Sequence, residues 1–439
     1  MTTASAASTF LILAVFSSAA AAPPAAPPSS AVMPDGPKAL GAFPVTTETS
    51  LVIRGIPGQI VVTTKSTQEL RFGSRSGDKS TVQRPIAVSF SGTVVTFAPP
   101  AGVTLPDGIL RVEAPAAFAV RIEAQAGTVI VDGFTGAVAI VGKQTVVRAQ
   151  GLAGPLTAEL EGGSLSLTNL GGAVTARLRA SCAFTATGLR GALDLNSQDG
   201  TFKVQTIGGA CRLESHGGSG ELAGLAAGGE LHATDTALKL SAGKGDVTVT
   251  SNAAVVVSTM AGAMRFELDG GSLRGQDIQG SVTVRARRTE VTLEGVSGEV
   301  NLDVTRANVA LQRVSGAVSA TVFAGDAKLF ELAGPLRLDM DGGTAAVTFT
   351  TIAGDRDSQI ENRGGDVSVR FPGTAACRVS AKSKTGRITS EIASVKATPD
   401  GTGAEGSLGT VGKPLIMIEA DGNIQLSGGG AANSTVSKP

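Results

Sequence analysis

The chain has 439 residues, 58 of them Gly, roughly twice average usage. Aromatic residues make up 3%, all Phe, and 37 basic groups balance 37 acidic ones. A neutral chain without Trp or Tyr has no electrostatic footprint for nucleic acid or anionic lipid and lacks the usual platforms for stacking bases or sugar rings, while an apolar content of 42% is ample for a core.

The N-terminus reads as a targeting signal. Thr9 to Phe16 is an apolar run, followed by small residues up to Ala22, with an A-x-A-like cleavage site near Ala20 to Ala22. Residues 1–22 are therefore expected to be a signal peptide, although a basic n-region is missing. The alternative is retention as an uncleaved anchor, since Ala4 to Ala22 carries no charge. Residues 23–40 are Pro/Ala-rich and read as an extended linker. No later stretch is long and apolar enough to span a membrane. Residues 41–108 form a β-rich lead-in, with strands predicted at Ser50 to Arg54, Gln59 to Thr63 and Thr93 to Ala98.

Residues 109–392 are a repeat array. Twelve glycines, from Gly136 to Gly334, are preceded at two positions by an apolar residue in all cases but Gly245, which follows Gly243; they span 198 residues in eleven intervals. Intervals of 19, 20, 16 and 17 near Gly191, Gly229, Gly245 and Gly262 interrupt an otherwise constant 18. With the Gly as position 1, positions 3 and 5 are apolar in all twelve units, and position 4 is polar in all but one, at Ala139. That is the period-2 alternation of a half-buried strand. A shorter alternation follows at positions 12 and 14, as in Val291 and Leu293, and position 17 is usually apolar. Such a unit cannot bury its apolar face alone. Stacked on copies of itself it can, which predicts an all-β, parallel β-solenoid with coils of about 18 residues and two short strands per coil. The recurrent Gly fits a corner needing either positive φ or close backbone approach. Twelve coils would make a rod of roughly 58 Å. Residues 393–427 are read as an exposed loop followed by a closing strand pair, and 428–439 as a disordered tail.

The two flanks match each other. Ile109 to Gly127 and Asp366 to Gly386 both run strand, Pro (Pro115, Pro372), small residues, strand, Gly; Pro414 to Ser427 adds a strand, a turn at Gly422 and a strand. This arrangement resembles the bacterial putative-adhesin β-repeat family, a domain of unknown function in exported or surface proteins. The resemblance implies G-x-V-x-V coils closed by a G-x-I-x-L ending, and it supplies no catalytic residues.

Candidate chemistry is sparse. A polysaccharide lyase or hydrolase on a parallel β-helix needs convergent carboxylates. The densest acidic set is Asp355, Asp357, Glu361 and Asp366, interleaved with Arg356 and Arg363, and it reads as a solvated turn; Asp339 and Asp341 read as strand-end residues. His232 occupies an outward slot, position 4, and His216 a turn, neither with a metal partner at motif spacing. Gly270–Gly271 and Gly342–Gly343 lack the tandem nonapeptide of a calcium β-roll. Cys182, Cys211 and Cys377 are far apart and odd in number, which excludes a disulfide framework and leaves buried thiols. The expectation is an exported, non-enzymatic structural or adhesin-like interaction module in the periplasm, at the cell surface or secreted. It would have no catalytic residue, cofactor or metal, and its partner would be an envelope protein or a glycan. The alternatives are a carbohydrate-active β-helix and an envelope-stress accessory protein with a membrane partner.

Overall fold

The computed structural model describes residues 41–428 apart from 47, 66–67, 77–83, 353–355 and 411–413. The expected signal and linker, nearly all of the expected tail, and Asp355 lie outside the described residues. The described chain forms 35 strands and no helix. From Ala119–Asp132 to Val367–Phe371 they climb as a parallel β-solenoid of about fourteen turns, two more than the glycine pattern marks. Val282, Val300, Val318 and Leu336 stand above one another at position 3, and Val284, Leu302, Ala320 and Leu338 at position 5. All eight are buried, so the predicted apolar rows are the core.

Each coil has two strand-bearing sides and a short third side around the recurrent Gly. Backbone bonds tie this short side to the coil below, as in Ala153 N–H to Phe134 O at 2.8 Å and Gly171 N–H to Leu152 O at 2.7 Å. The Gly is required by close approach, not by positive φ. A Cβ on Gly280, Gly298 or Gly316 would collide with the carbonyl of the Gly one coil below. Left-handed residues occupy two other columns, at positions 9 and 16. They include Gln144, Asp199 and Arg306 in the first and Asn169, Asp277 and Arg313 in the second. At the first of these corners, buried Thr145, Thr236 and Thr289 each donate to the carbonyl two residues back, at 2.9, 3.0 and 2.9 Å. Those bonds satisfy acceptors that the turn would otherwise leave buried and unpaired.

The irregular intervals resolve into corner events and one misplacement. Cys211 pairs with Gly229, so Gly229 is at position 3 and the corner residue of that coil is Ala227. The intervals of 20 and 16 then both become 18. A two-residue slip keeps every side chain on its own face, so alternation cannot detect it. The true one-residue changes lie in corners. One residue is added around Ala180 to Cys182, between the Leu178 and Ala183 pairings, and one is lost between Ser251 and Val255.

The ends depart from sequential stacking. The C-terminal coil, Leu415–Ala420 with Ile424–Gly428, does not sit last. It is inserted between the coil of Ser358–Arg363 and Val367–Phe371 and that of Cys377–Ser383 and Ile388–Ser390. The N-terminal coil, Ser50–Arg54 with Gly58–Thr64, likewise lies between Val94–Ala98 with Gly108–Ala114 and the first array strand, Ala119–Asp132. The matching Pro motifs are the jumps that make room. Pro115 and Pro372 each open a tight turn, with Phe118 N–H to Pro115 O at 3.1 Å and Ala375 N–H to Pro372 O at 3.0 Å. Each link climbs two strand spacings, roughly 9.6 Å, instead of one.

Antiparallel strands then cover the outer edges. Glu69–Ser76 covers Gly108–Ala114, Ala87–Ser91 covers Val94–Ala98, and Gly403–Leu408 covers Cys377–Ser383. Residues 393–412, read as an exposed loop, thus supply two strands, Val395–Ala397 and Gly403–Leu408. Gly428, placed in the tail by sequence, ends the last strand. The covering strands replace the parallel end rows by short antiparallel edges, such as Ala87–Ser91, which do not continue the parallel stacking of a second rod.

Candidate functional site

The acidic set is spent on architecture. Asp357 Oδ1 accepts the Leu415 N–H at 2.7 Å, fixing the start of the inserted coil. Asp366 Oδ1 accepts the Asn423 N–H, also at 2.7 Å. It belongs to a corner column in which Asn308 accepts from the Asp326 N–H (3.0 Å), Asp326 from the Thr344 N–H (2.8 Å) and Asn423 from the Arg387 N–H (3.0 Å). Hydrogen bonds from Thr344 hold the Asp326 carboxyl below its ordinary value. Glu361 and Asp339 both accept from Arg363, each at 2.9 Å. That guanidinium is raised above its usual value, first by its bond to Glu361 and then by the Asp339 charge. Glu361 shares a groove of about 360 Å³ with Glu419 and Asp421, but its carboxylate is tied to Arg363, which lines the same groove.

The histidines and cysteines are equally committed. His232 lies 3.0 Å from Glu230, and His216 lies 3.8 Å from Glu214. The corrected register moves His232 from position 4 to position 6, still outward, because Glu214 pairs with it. Among the described residues no group of three or more His, Cys, Asp or Glu side chains could hold a metal ion. All three cysteines are free and buried. Burial pushes the Cys211 thiol up to about 12 and the Cys377 thiol up to about 11, so both are neutral packing groups.

The outward surface is polar, and much of it is cross-linked between coils. Lys143 pairs with Glu161 (2.9 Å), Arg177 with Glu159 (3.0 Å), Arg288 with Asp269 (2.7 Å) and Arg313 with Glu294 (2.6 Å). Glu221 lies between Lys203 and Lys239, whose hydrogen bonds lower its pKa. These pairs are exposed, so they select register more than they add stability.

One feature stands out on the side formed by positions 3–8. A groove of about 620 Å³ follows the stacking axis, its lining running from His232 to Asp303 and Thr305. Its floor is the backbone around Ala233, Ser251, Leu268 and Ala286; its walls are the outward residues at positions 6 and 8. Arg285 and Arg287 stand in opposite walls on one coil. Sequence reasoning singled out neither. The only signal available was their alternation around Ala286, which marks an outward pair and says nothing about pairing.

The geometry defines a class first: a long, capped parallel β-solenoid with polar outer sides and an apolar interior. Residues 191–427 match the model of the Toastrack DUF4097 family, more than half of the chain. The chain belongs to that family. The matched span takes in most of the array and also the inserted C-terminal coil. No curated protein matches the chain. Among solved structures it is similar to one described as a putative cell adhesion protein from Clostridium sporogenes. The two share 7% identity over 89% of this chain and 98% of the other, at a TM-score of 0.15. A likeness that loose carries nothing about function.

Proposed function

We propose that the protein is an exported, non-enzymatic interaction module of the bacterial cell envelope. It would act as a stiff rod that presents polar sheet surfaces to an envelope protein or glycan. The observation that carries this reading is the division of labour among side chains. Inward rows are predominantly apolar, with small or polar exceptions such as Ser197, Ser215, Ser251 and Asn362, and the chemically capable groups, from Asp357 and Asp366 to the buried thiols, serve the fold. What remains free is an outward surface suited to contact. Membership in a family of unknown function is compatible with a non-catalytic role.

Two measurements test the reading. Cell fractionation with intact-mass analysis of the native protein should find it outside the cytoplasm and shortened by about the first 22 residues. A cytosolic protein retaining Met1 would sink the envelope assignment. Assays against acidic and neutral polysaccharides should yield no cleavage. A turnover abolished by Glu361→Gln or Asp339→Asn would instead favour the carbohydrate-active alternative.

A further inference from the structure

Resting on the interaction reading above, we infer that the groove on the 3–8 side is a binding site for a linear, hydroxyl-rich acidic glycan of the polyuronate type, whose carboxylate is held between Arg285 and Arg287. On the coil below, Glu267 is held by Arg265 at 2.8 Å and Asp269 by Arg288 at 2.7 Å. Arg285 pairs in register with Glu267 and Asp303, and Arg287 with Asp269 and Thr305. Yet neither Arg285 nor Arg287 makes an ion pair or side-chain hydrogen bond among the described residues. The neighbouring carboxylates are already engaged, apart from Asp303. Two free guanidiniums against one free carboxylate leave the groove with an excess of uncommitted positive charge.

Geometry narrows the ligand. Arg285 and Arg287 are two residues apart on one strand, so their Cα atoms are separated by roughly 7 Å across the groove. Their planar forks can approach a single carboxylate from both walls, the pairing that guanidinium geometry favours. The groove crosses five coils, from His232 through Thr250, Glu267 and Arg285 to Asp303, about 19 Å at the usual strand spacing. One pyranose unit of a linear polysaccharide advances by close to one such spacing, so successive sugars can meet successive coils. The end away from the arginines is lined by the hydroxyls of Thr234 and Thr250, which suit sugar hydroxyls, and by Asn252, whose amide is held by Asp235.

An acidic peptide fits less well. The floor is interior sheet with its backbone already paired on both sides, so no strand can be added there. The outward walls also offer no apolar pocket for a peptide side chain.

The test uses the whole protein and polygalacturonate, with its methyl-esterified form and poly-L-glutamate as comparators, read by titration calorimetry. Expected are binding of polygalacturonate, at least a tenfold loss for Arg285→Gln/Arg287→Gln, and no change for Arg274→Gln on the other strand-bearing side. Methyl esterification, which removes the ligand's charge and needs no variant, should cause a similar loss. The inference is overturned if the wild type does not bind polygalacturonate. It is equally overturned if the double variant binds like wild type while melting normally, or if poly-L-glutamate binds as well. Retention of the protein on intact envelopes of its own cells is measured in parallel. Retention unaffected by the double substitution, without polygalacturonate binding, removes the glycan groove and leaves the interaction module standing; a wild type that neither binds polygalacturonate nor is retained removes both.

Discussion

The column of short-side glycines makes a quantitative demand on the backbone, and Gly298→Ala tests it in mid-array. The new Cβ would meet the Gly280 carbonyl and lie 2.7 Å from the Ser281 amide nitrogen. These are backbone atoms and cannot rotate away. Reaching an ordinary separation of about 3.4 Å from the Ser281 nitrogen alone requires a shift of roughly 0.7 Å, and the closer Gly280 carbonyl requires more, in a segment held by Ser297 N–H to Ile278 O at 2.9 Å and Val282 N–H to Glu299 O at 2.8 Å. Overpacking at about 1–3 kcal/mol and one weakened backbone bond at about 1 kcal/mol predict a loss of about 2–4 kcal/mol. Gly342→Ala is the comparator. Nothing lies within 4 Å of its Cβ, so only its φ of 85° resists substitution, for about 1–2 kcal/mol. Denaturant unfolding followed by far-ultraviolet circular dichroism measures both, since a chain without Trp or Tyr gives little intrinsic fluorescence. If Gly298→Ala costs no more than Gly342→Ala, close approach is not what the glycine column serves. Ala227 shows how the structure escapes the demand at one coil: its neighbour Gly228 adopts φ 82° and rebuilds the corner.

Deleting Gly280 to Ser297 removes one whole coil and brings Met264 under Val300 and Phe266 under Leu302, apolar over apolar. That variant should be soluble and melt cooperatively, whereas deleting only Gly280 to Arg288 should aggregate or unfold in part; equal melting of the two would refute the 18-residue coil. Asp357→Ala and Asp366→Ala should speed amide exchange in Leu415–Gly428 while leaving Val282–Arg287 unchanged, because each removes an acceptor that ties the inserted coil to its lower neighbour. The Cys211 thiol is raised from 9.0 to about 12 on folding, so its neutral form is favoured in the native state. Its stabilising contribution is complete below about pH 9 and is lost as pH rises towards 12. The denaturant midpoint of the wild type should therefore fall more between pH 8 and 10.5 than that of Cys211→Val, and parallel curves would contradict the burial argument.

The side-chain alternation, the coil length and the identity of the inward rows were all legible in the sequence. They are local properties: a residue's face in a strand follows from its neighbours' polarity, and eighteen-residue spacing repeats visibly. The repeat at Gly229 was misread by two residues because alternation has period two and is blind to an even slip; only pairing Cys211 with Gly229 settled it. The inserted terminal coils were equally hidden. Leu415–Ala420 has the same pattern as any other coil, and its place below Cys377–Ser383 depends on which of several equivalent strand edges it meets. The candidate site shows the same limit. Sequence marks Arg285 and Arg287 as outward, but whether a charge is spent or free depends on partners nineteen residues away or in the next coil, as with Arg288 and Asp269. Polarity along one strand is written in the chain itself, while pairing between strands is a choice among alternatives that only the assembled stack makes.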